Sequence, residues 1–242
     1  MRYLILAAGM GKRMGGAHGD VPKCLIDING EPLIVRLLRQ IRRGDASADV
    51  HVVVGYKSQL IEPLVEGCRI VVNPFFDITG INASLWFARA SFDRPLMVIH
   101  GDVVLSDELA ADLVATSAES LAAYDSGVLD PREINVAVAG DRIARFGVNF
   151  SDYSGAYAGI LKLSAHAARL FAETLDRRMR RGFNEPRTYY FFVMRRLLAE
   201  PGVVFAAFDL ARHRWKEIDY IEDIAIARAR VGGEGRIDVP WR

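Results

Sequence analysis

Three cations and two carboxylates stand where they could handle a polyphosphate. Lys12, Arg13 and Lys23 are set among Gly9, Gly11, Gly15, Gly16 and Gly19, directly after an apolar run from Tyr3 to Ala8. Glycines permit positive φ and let backbone N–H groups approach an anion closely, while interleaved cations neutralise its charge. Leu6, Ala7, Ala8, Gly9 and Gly11 with Lys12 and Arg13 therefore read as an anion cradle fed by a strand; the alternative is a glycine-rich turn with solvated charges. Asp102 follows a short apolar run, Leu96 to Ile99, by way of His100-Gly101, and Asp219 sits in WKEIDYIEDIAIA ahead of a closing helical pattern. Magnesium takes hard oxygen ligands, commonly one or two carboxylates with phosphate oxygens and water completing the set. Asp102 and Asp219 are the candidates to hold it. The alternatives are a Gly-Asp turn for the first and, for the second, a helix cap spaced with Glu222.

The elements that would position these groups follow from periodicity. Val50 to Val54 is a continuous β-branched run of the kind buried on both faces of a parallel sheet. A helical pattern with Leu33, Ile34, Leu37, Leu38 and Ile41 on one face precedes it, and a helix at Gln59–Val65 and a strand at Arg69–Val72 come after. This βαβαβ order argues a mostly parallel sheet with helices on both sides, with Asp102 at the carboxyl end of its strand, where open α/β sheets bind ligands. After a helix at Asn82–Ala90 and the strand at Leu96–Ile99 the pattern changes. Short runs at Leu121–Tyr124, Asn135–Val138, Arg142–Phe146 and Ala158–Leu163 suit an antiparallel or mixed section, expected to build a second pocket. Ser164 reads as the N-cap of a helix to about Arg181. Helices at Thr188–Ala199 and Ile221 to about Arg230, and strands at Val203–Phe208 and Arg214–Glu217, complete the reading.

Of two familiar phosphate loops, the first is rejected and the second matches only in part. A Walker loop needs glycine where Leu6 stands and a hydroxyl where Arg13 stands. The dinucleotide fingerprint finds Gly9 and Gly11 at its spacing, but its third glycine falls on Met14. The stretch Leu6 to Leu25, with AAG, G, R and then PK-L in order, instead resembles the signature of the nucleotidylyltransferases. The Gly-Asp after a mid-chain strand and the WKEID before the last helix extend that resemblance along the chain. It implies a Rossmann-like three-layer α/β/α fold of the nucleotide-diphospho-sugar transferase type, with a mostly parallel central mixed sheet. It also implies a single domain over residues 1–242, its N-terminal half binding an NTP and its C-terminal half an acceptor. By the same resemblance Asp102 and Asp219 match magnesium-binding aspartates, and Arg13 and Lys23 match cations that neutralise phosphate, making these four the catalytic set.

Within that family NPFFDITGINASLWFAR, Asn73 to Arg89, is similar to the phosphocholine and 2-aminoethylphosphonate cytidylyltransferases. Ser84 then matches a position that helps recognise cytosine, with Asn82 beside it; both residues could equally cap the helix. The expected reaction transfers CMP from CTP to a small phosphate- or phosphonate-bearing acceptor and releases pyrophosphate, with Mg2+ as cofactor. A sugar 1-phosphate acceptor is the alternative, and a non-catalytic nucleotide-binding subunit a second. A glycosyltransferase of related fold would show two aspartates flanking one residue, where this chain has Gly101-Asp102-Val103.

A quaternary ammonium would want an aromatic cage. Tyr153, Tyr157, Tyr189, Tyr190, Trp86 and Trp215 are available for it, and Asp152 or Glu185 could meet an amine; aromatics, though, are more often core. Tyr157, Glu185 and Trp215 are the acceptor-binding candidates.

Composition narrows the partners. The 242 residues are 51% hydrophobic with a formal net charge of +1, so no bulk basic field points to nucleic acid or a membrane surface. No apolar run approaches a bilayer-spanning length. Cys24 and Cys68 have no metal-ligand spacing and suggest no oxidising compartment. A cytoplasmic protein is expected, with room for a homodimer.

Overall fold

In the computed structural model residues 1–14, 21–181 and 190–232 are described. The chain runs β1 (Arg2–Ala7), a small hairpin β2 (Asp27–Ile28) and β3 (Glu31–Pro32), α1 (Leu33–Gly44), β4 (Asp49–Val54), α2 (Ser58–Ile61), β5 (Arg69–Val72) and α3 (Ile81–Phe87). It continues through β6 (Leu96–His100), β7 (Val103–Leu105), α4 (Asp107–Ala115), β8 (Leu121–Asp125), β9 (Asn135–Ala139), β10 (Arg142–Gly147) and β11 (Gly155–Leu163). The last elements are α5 (Ala165–Arg181), α6 (Phe191–Leu198), β12 (Ala206–Asp209), β13 (Trp215–Glu217) and α7 (Glu222–Val231).

The described strands make a nine-stranded sheet in the order β5-β4-β1-β6-β11-β8-β12-β10-β9. β5, β4, β1 and β6 are parallel to one another, and β12 is parallel to β8. The pairs β6–β11, β11–β8, β12–β10 and β10–β9 are antiparallel. The fold is three-layer α/β/α around a mixed sheet, as expected, but "mostly parallel" holds only for its first half: β11 returns next to β6 in the opposite direction.

Strand alternation splits the core in two. Tyr3, Ile5, Val52, Met97 and Ile99 face a layer made by α1, α4 and α7, whereas Leu4, Val53, Leu96 and Val98 face α3, α5 and α6. Such continuous apolar strands are what burial on both faces requires.

Several boundaries differ from the sequence reading for local reasons. The helix expected at Gln59–Val65 stops as α-helix at Ile61 and continues as a 3-10 turn, Glu62–Leu64, because Pro63 has no N–H for the α ladder. β7 and α4 were not foreseen. Ser106 caps α4, its hydroxyl accepting from Leu109 N at 3.2 Å. Ser164 performs the same service for α5, accepting from Ala167 N at 3.2 Å. Among the described residues no helix is long and apolar enough to cross a membrane.

Candidate active site

β1 ends in the sheet's interior and hands the chain to the glycine loop at the carboxyl edge of the parallel strands. Gly101, just past β6, comes against the end of β1: its N–H donates to Leu6 O at 2.9 Å, and a Cβ there would lie 2.6 Å from that oxygen. β6 can therefore deliver Asp102 next to the cradle only through a glycine.

Asp219 arrives from the far end of the sequence through a short ladder. β13 pairs antiparallel with β7, Glu217 opposite Val103, and Ile218 N donates to Asp102 O at 2.9 Å. This register sets Asp219 beside Asp102. Lys23, on a 3-10 turn after Pro22, bridges the two: its Nζ is 3.1 Å from Asp102 Oδ2 and 2.7 Å from Asp219 Oδ1. Arg13 Nη1 donates to the other oxygen, Asp219 Oδ2, at 3.0 Å. Burial alone would lower the Lys23 pKa, but the charges of Asp102 and Asp219 outweigh it and hold the ammonium above its ordinary value.

The capping alternative for Asp219 is not what forms. Asp223 Oδ2 accepts from Asp219 N at 2.9 Å and Tyr220 N at 2.8 Å, so Asp223, not Glu222, holds that turn. The Asp219 carboxylate is left for the cations.

These groups open on a cavity of about 900 Å³. Leu6, Ala7, Ala8, Gly9, Gly11, Lys12, Arg13, Lys23, Ser84, Asp102, Tyr157 and Asp219, all expected at the site, line it. Asn82 does not: it is 3% exposed and lies within the core side of α3. Trp215 does not either. Its indole donates to Asp125 Oδ2 at 3.0 Å inside the core, which corrects its assignment to the acceptor. Glu185 and Tyr189 lie outside the described residues. Trp86 donates to Asp176 at 2.8 Å, Tyr153 packs on Phe150, and Asp152 pairs with Arg145, so the expected aromatic cage is not assembled from the described residues.

The structure adds groups that were not singled out. His100 and Glu217 line the same cavity, and with Asp102 their ligand atoms lie within 4.8 Å of one another. Both were legible in principle: HGD and EID each place a polar group two residues before an aspartate, on the same strand face. Glu217 lines the cavity with about a third of its side chain exposed. Burial raises its pKa, as do the charges of Asp102 and Asp219, while the His100 ring opposes them. Tyr190 Oη donates to Tyr157 Oη at 2.6 Å and lies 3.4 Å from His100 Nε2. Gly159 makes space for that ring, since a Cβ there would be 2.8 Å from His100 Nδ1. Across the cavity Asp130, Arg132 and Glu133, on the connection from β8 to β9, form another wall. The Glu133 carboxyl is pushed up by burial and by the charges of Asp219 and Asp130, with Arg13 and Arg132 opposing. Beneath the cradle Cys24 is buried, and burial followed by the charge of Asp102 lifts its thiol to about 12; it stays a neutral wall group.

Asp102, Asp219 and Glu217 all line the cavity and offer carboxylate oxygen, the ligand type of a hard divalent cation; among the described residues the ligand atoms close enough to share one ion are those of His100, Asp102 and Glu217. Lys12, Arg13 and Lys23 line the same cavity and bring positive charge to it.

Comparisons with known proteins place the chain among relatives of the same fold. A "bifunctional IPC transferase and DIPP synthase" of Rubrobacter xylanophilus is 28% identical over 236 residues, 95% of this chain and 51% of that protein. A "CMP-5'-(3-aminopropyl)phosphonate synthase" of Streptomyces rubellomurinus is 27% identical over 238 residues, 90% of this chain and 37% of that protein. The chain thus spans about half or less of the length of these relatives. Among solved structures, the CTP:phosphocholine cytidylyltransferase of Streptococcus pneumoniae superposes with a TM-score of 0.74 at 20% identity, covering 94% of this chain and 97% of that one. The profile of the MobA-like NTP transferase domain matches residues 3–172. With that match over the cradle, Lys23, Ser84 and Asp102, the chain belongs to the MobA-like NTP transferase domain family.

Proposed function

We propose that this chain is a magnesium-dependent cytidylyltransferase. It moves CMP from CTP to a small acceptor carrying a phosphate or phosphonate and releases pyrophosphate. The observation that carries the reading is the meeting of Lys23 with Asp102 and Asp219 beneath the β1 loop. Cations for a polyphosphate and carboxylates for a hard metal converge at one end of a cavity large enough for a nucleotide.

Nucleotidyl transfer is an in-line displacement at phosphorus, so position and charge supply most of the acceleration. An oxygen of the acceptor's phosphate or phosphonate forms the new bond to the α-phosphorus. The α–β bridging bond breaks, and its electron pair leaves with pyrophosphate. Lys23 leaves its carboxylates to meet the reacting phosphate, while Lys12 and Arg13 take the charge that collects on pyrophosphate. The acceptor oxygen is already anionic at neutral pH, so no side chain has to remove a proton. Asp102 and Asp219 are the residues that would hold Mg2+, with Glu217 and His100 alongside; the bound ion supplies charge neutralisation at the phosphates.

The base would lie near Leu6, Ala8 and Ser84 and the acceptor near Tyr157, Glu217 and Glu133, which assigns the nucleotide to the N-terminal half and the acceptor to the C-terminal half. Relatives with CMP or CTP in their names support cytosine. Polar groups that can bond hydroxyls or a primary amine, set in a wall where the described aromatics do not box a cation, favour such an acceptor over a quaternary ammonium. The proposed setting is the cytoplasm, in keeping with two free cysteines and a nucleotide substrate.

The test is pyrophosphate release with magnesium, pairing each of CTP, UTP, ATP and GTP with phosphocholine, 2-aminoethylphosphonate, other phosphonates and sugar 1-phosphates. Release with CTP and a small phosphate or phosphonate is expected. Release only with another NTP and a sugar 1-phosphate would keep the chemistry and overturn the substrates.

A further inference from the structure

Asn73 directly follows β5, ahead of the turn at residues 74–78, is 1% exposed, and lines the cavity beside Leu6, Ala8, Phe76, Thr79 and Ser84. Its amide has a closed set of partners. Phe75 N donates to Asn73 Oδ1 at 3.0 Å. A backbone N–H can only donate, so this bond fixes which end of the amide is oxygen. The two protons on Nδ2 then go to two hydroxyls, Thr79 Oγ1 at 3.2 Å and Ser84 Oγ at 3.0 Å. Both hydroxyls act as acceptors toward Asn73, and each must send its own proton elsewhere. Thr79 sends its proton to Phe75 O at 2.5 Å. Among the described residues Ser84 Oγ has no such acceptor; it is 6% exposed and its side chain borders the cavity. Its proton is therefore left for whatever binds there.

We infer that Asn73 is a positioning residue that sets the nucleobase preference: it makes Ser84 present a hydrogen-bond donor, rather than a lone pair, to the base edge. The inference rests on the proposed function, in which the base lies beside Ser84. Cytosine meets a donor at N3 with a lone pair; O2 accepts in both pyrimidines and does not separate them. Uracil carries a proton on N3, so the same hydroxyl faces a donor there. A site built to bond one edge rejects the other chiefly because a buried polar group loses its partner.

Asn73→Asp reverses the arrangement. A carboxylate keeps the bond from Phe75 N but has no proton to give, so Ser84 O–H donates to it and turns its lone pairs to the cavity. The experiment measures equilibrium binding of CTP and of UTP, with magnesium and without acceptor, for wild type, Asn73→Asp, Ser84→Ala and the double variant, with thermal melts alongside.

Wild type is expected to prefer CTP. Asn73→Asp should lower the CTP:UTP affinity ratio by about tenfold, the scale of one hydrogen bond, mainly through tighter UTP binding. Ser84→Ala should weaken CTP by a similar factor and leave UTP nearly unchanged. In the Ser84→Ala background the Asn73 change should add nothing to the ratio. A purely structural Asn73 would weaken both nucleotides together and leave the ratio as it was, which overturns the inference while the function stands. If Asn73→Asp does not fold, equal losses of CTP and UTP in Ser84→Ala overturn it just as directly. A wild-type preference for a purine nucleotide defeats both the function and the inference, and a wild-type preference for UTP defeats the inference through the direction of the hydroxyl.

Discussion

Lys23 Nζ lies 2.7 Å from Asp219 Oδ1, an ion pair between residues 196 positions apart in sequence. Lys23 also holds Asp102, so a cation suited to phosphate pairs with carboxylates suited to a metal. On the proposed function, a nucleotide bound with its metal would exchange both sets of partners together.

Lys23→Gln should lower pyrophosphate release by about 10²–10³-fold, the usual effect of losing one preorganised charge-stabilising donor. The same variant, free of nucleotide, should bind Mn2+ more tightly, because the ammonium no longer competes for Asp102 and Asp219. Rates and a manganese titration by electron paramagnetic resonance read the two effects separately. An unaltered rate would remove Lys23 from the reaction.

Asp102→Asn should lower turnover at least about 100-fold while leaving the fold intact. The ladder bond at this position uses the Asp102 carbonyl, not its side chain. Circular dichroism and the melting temperature check the fold; wild-type rates would sink the metal assignment.

Glu217 gives a pH signature. A carboxyl whose pKa is raised on folding is favoured in its neutral form, so its contribution to stability is present below the unfolded value of about 4.3 and lost as pH rises through the raised folded value. Glu217→Gln removes that loss. The variant should melt higher than wild type at pH 8, and the gap should close as pH falls toward 4. A gap independent of pH would mean that the charge on Glu217 is not what costs stability.

Gly159→Ala should destabilise by about 1–2 kcal/mol, because φ is +71° there and L-residues resist that region. The added Cβ also presses on the His100 ring, so the KM for acceptor should rise. Urea midpoints and acceptor titrations measure the two consequences; an unchanged KM would mean that a displaced His100 ring does not disturb Tyr157, against which it packs, at the proposed acceptor position.

Trp215→Phe separates core from acceptor. Losing the indole N–H leaves Asp125, only 5% exposed, short of a partner and should cost about 1–3 kcal/mol. Acceptor KM should stay within about twofold, on the order of 0.4 kcal/mol. A large rise in KM at unchanged stability would return Trp215 to the acceptor wall.

Much of the site could be read from the chain because its parts are locally encoded. The strand that stops at AAG, the cations among glycines, and an aspartate after a buried strand are short patterns, and each fixes its own backbone. The two-layer core was legible for the same reason, since apolar strands such as Val50–Val54 announce burial on both faces.

Tertiary pairing decided the rest. Nothing local in WKEID says that the Trp215 indole reaches Asp125 of β8 in the core while Glu217 and Asp219 line the cavity; the three share one parity along the chain, so strand alternation alone would put them on one face, and only the packing around β13 separates them. Nor does NPFFDITGINAS say that Ser84, rather than Asn82, lines the cavity. That follows from which face of α3 packs on the sheet and from Asn73 reaching Ser84 across eleven residues. The sequence by itself determined the kinds of group available and the strand ends that carry them. The structure determined which groups share one cavity, because long-range register and helix packing are set by the whole core at once rather than by any one stretch of chain.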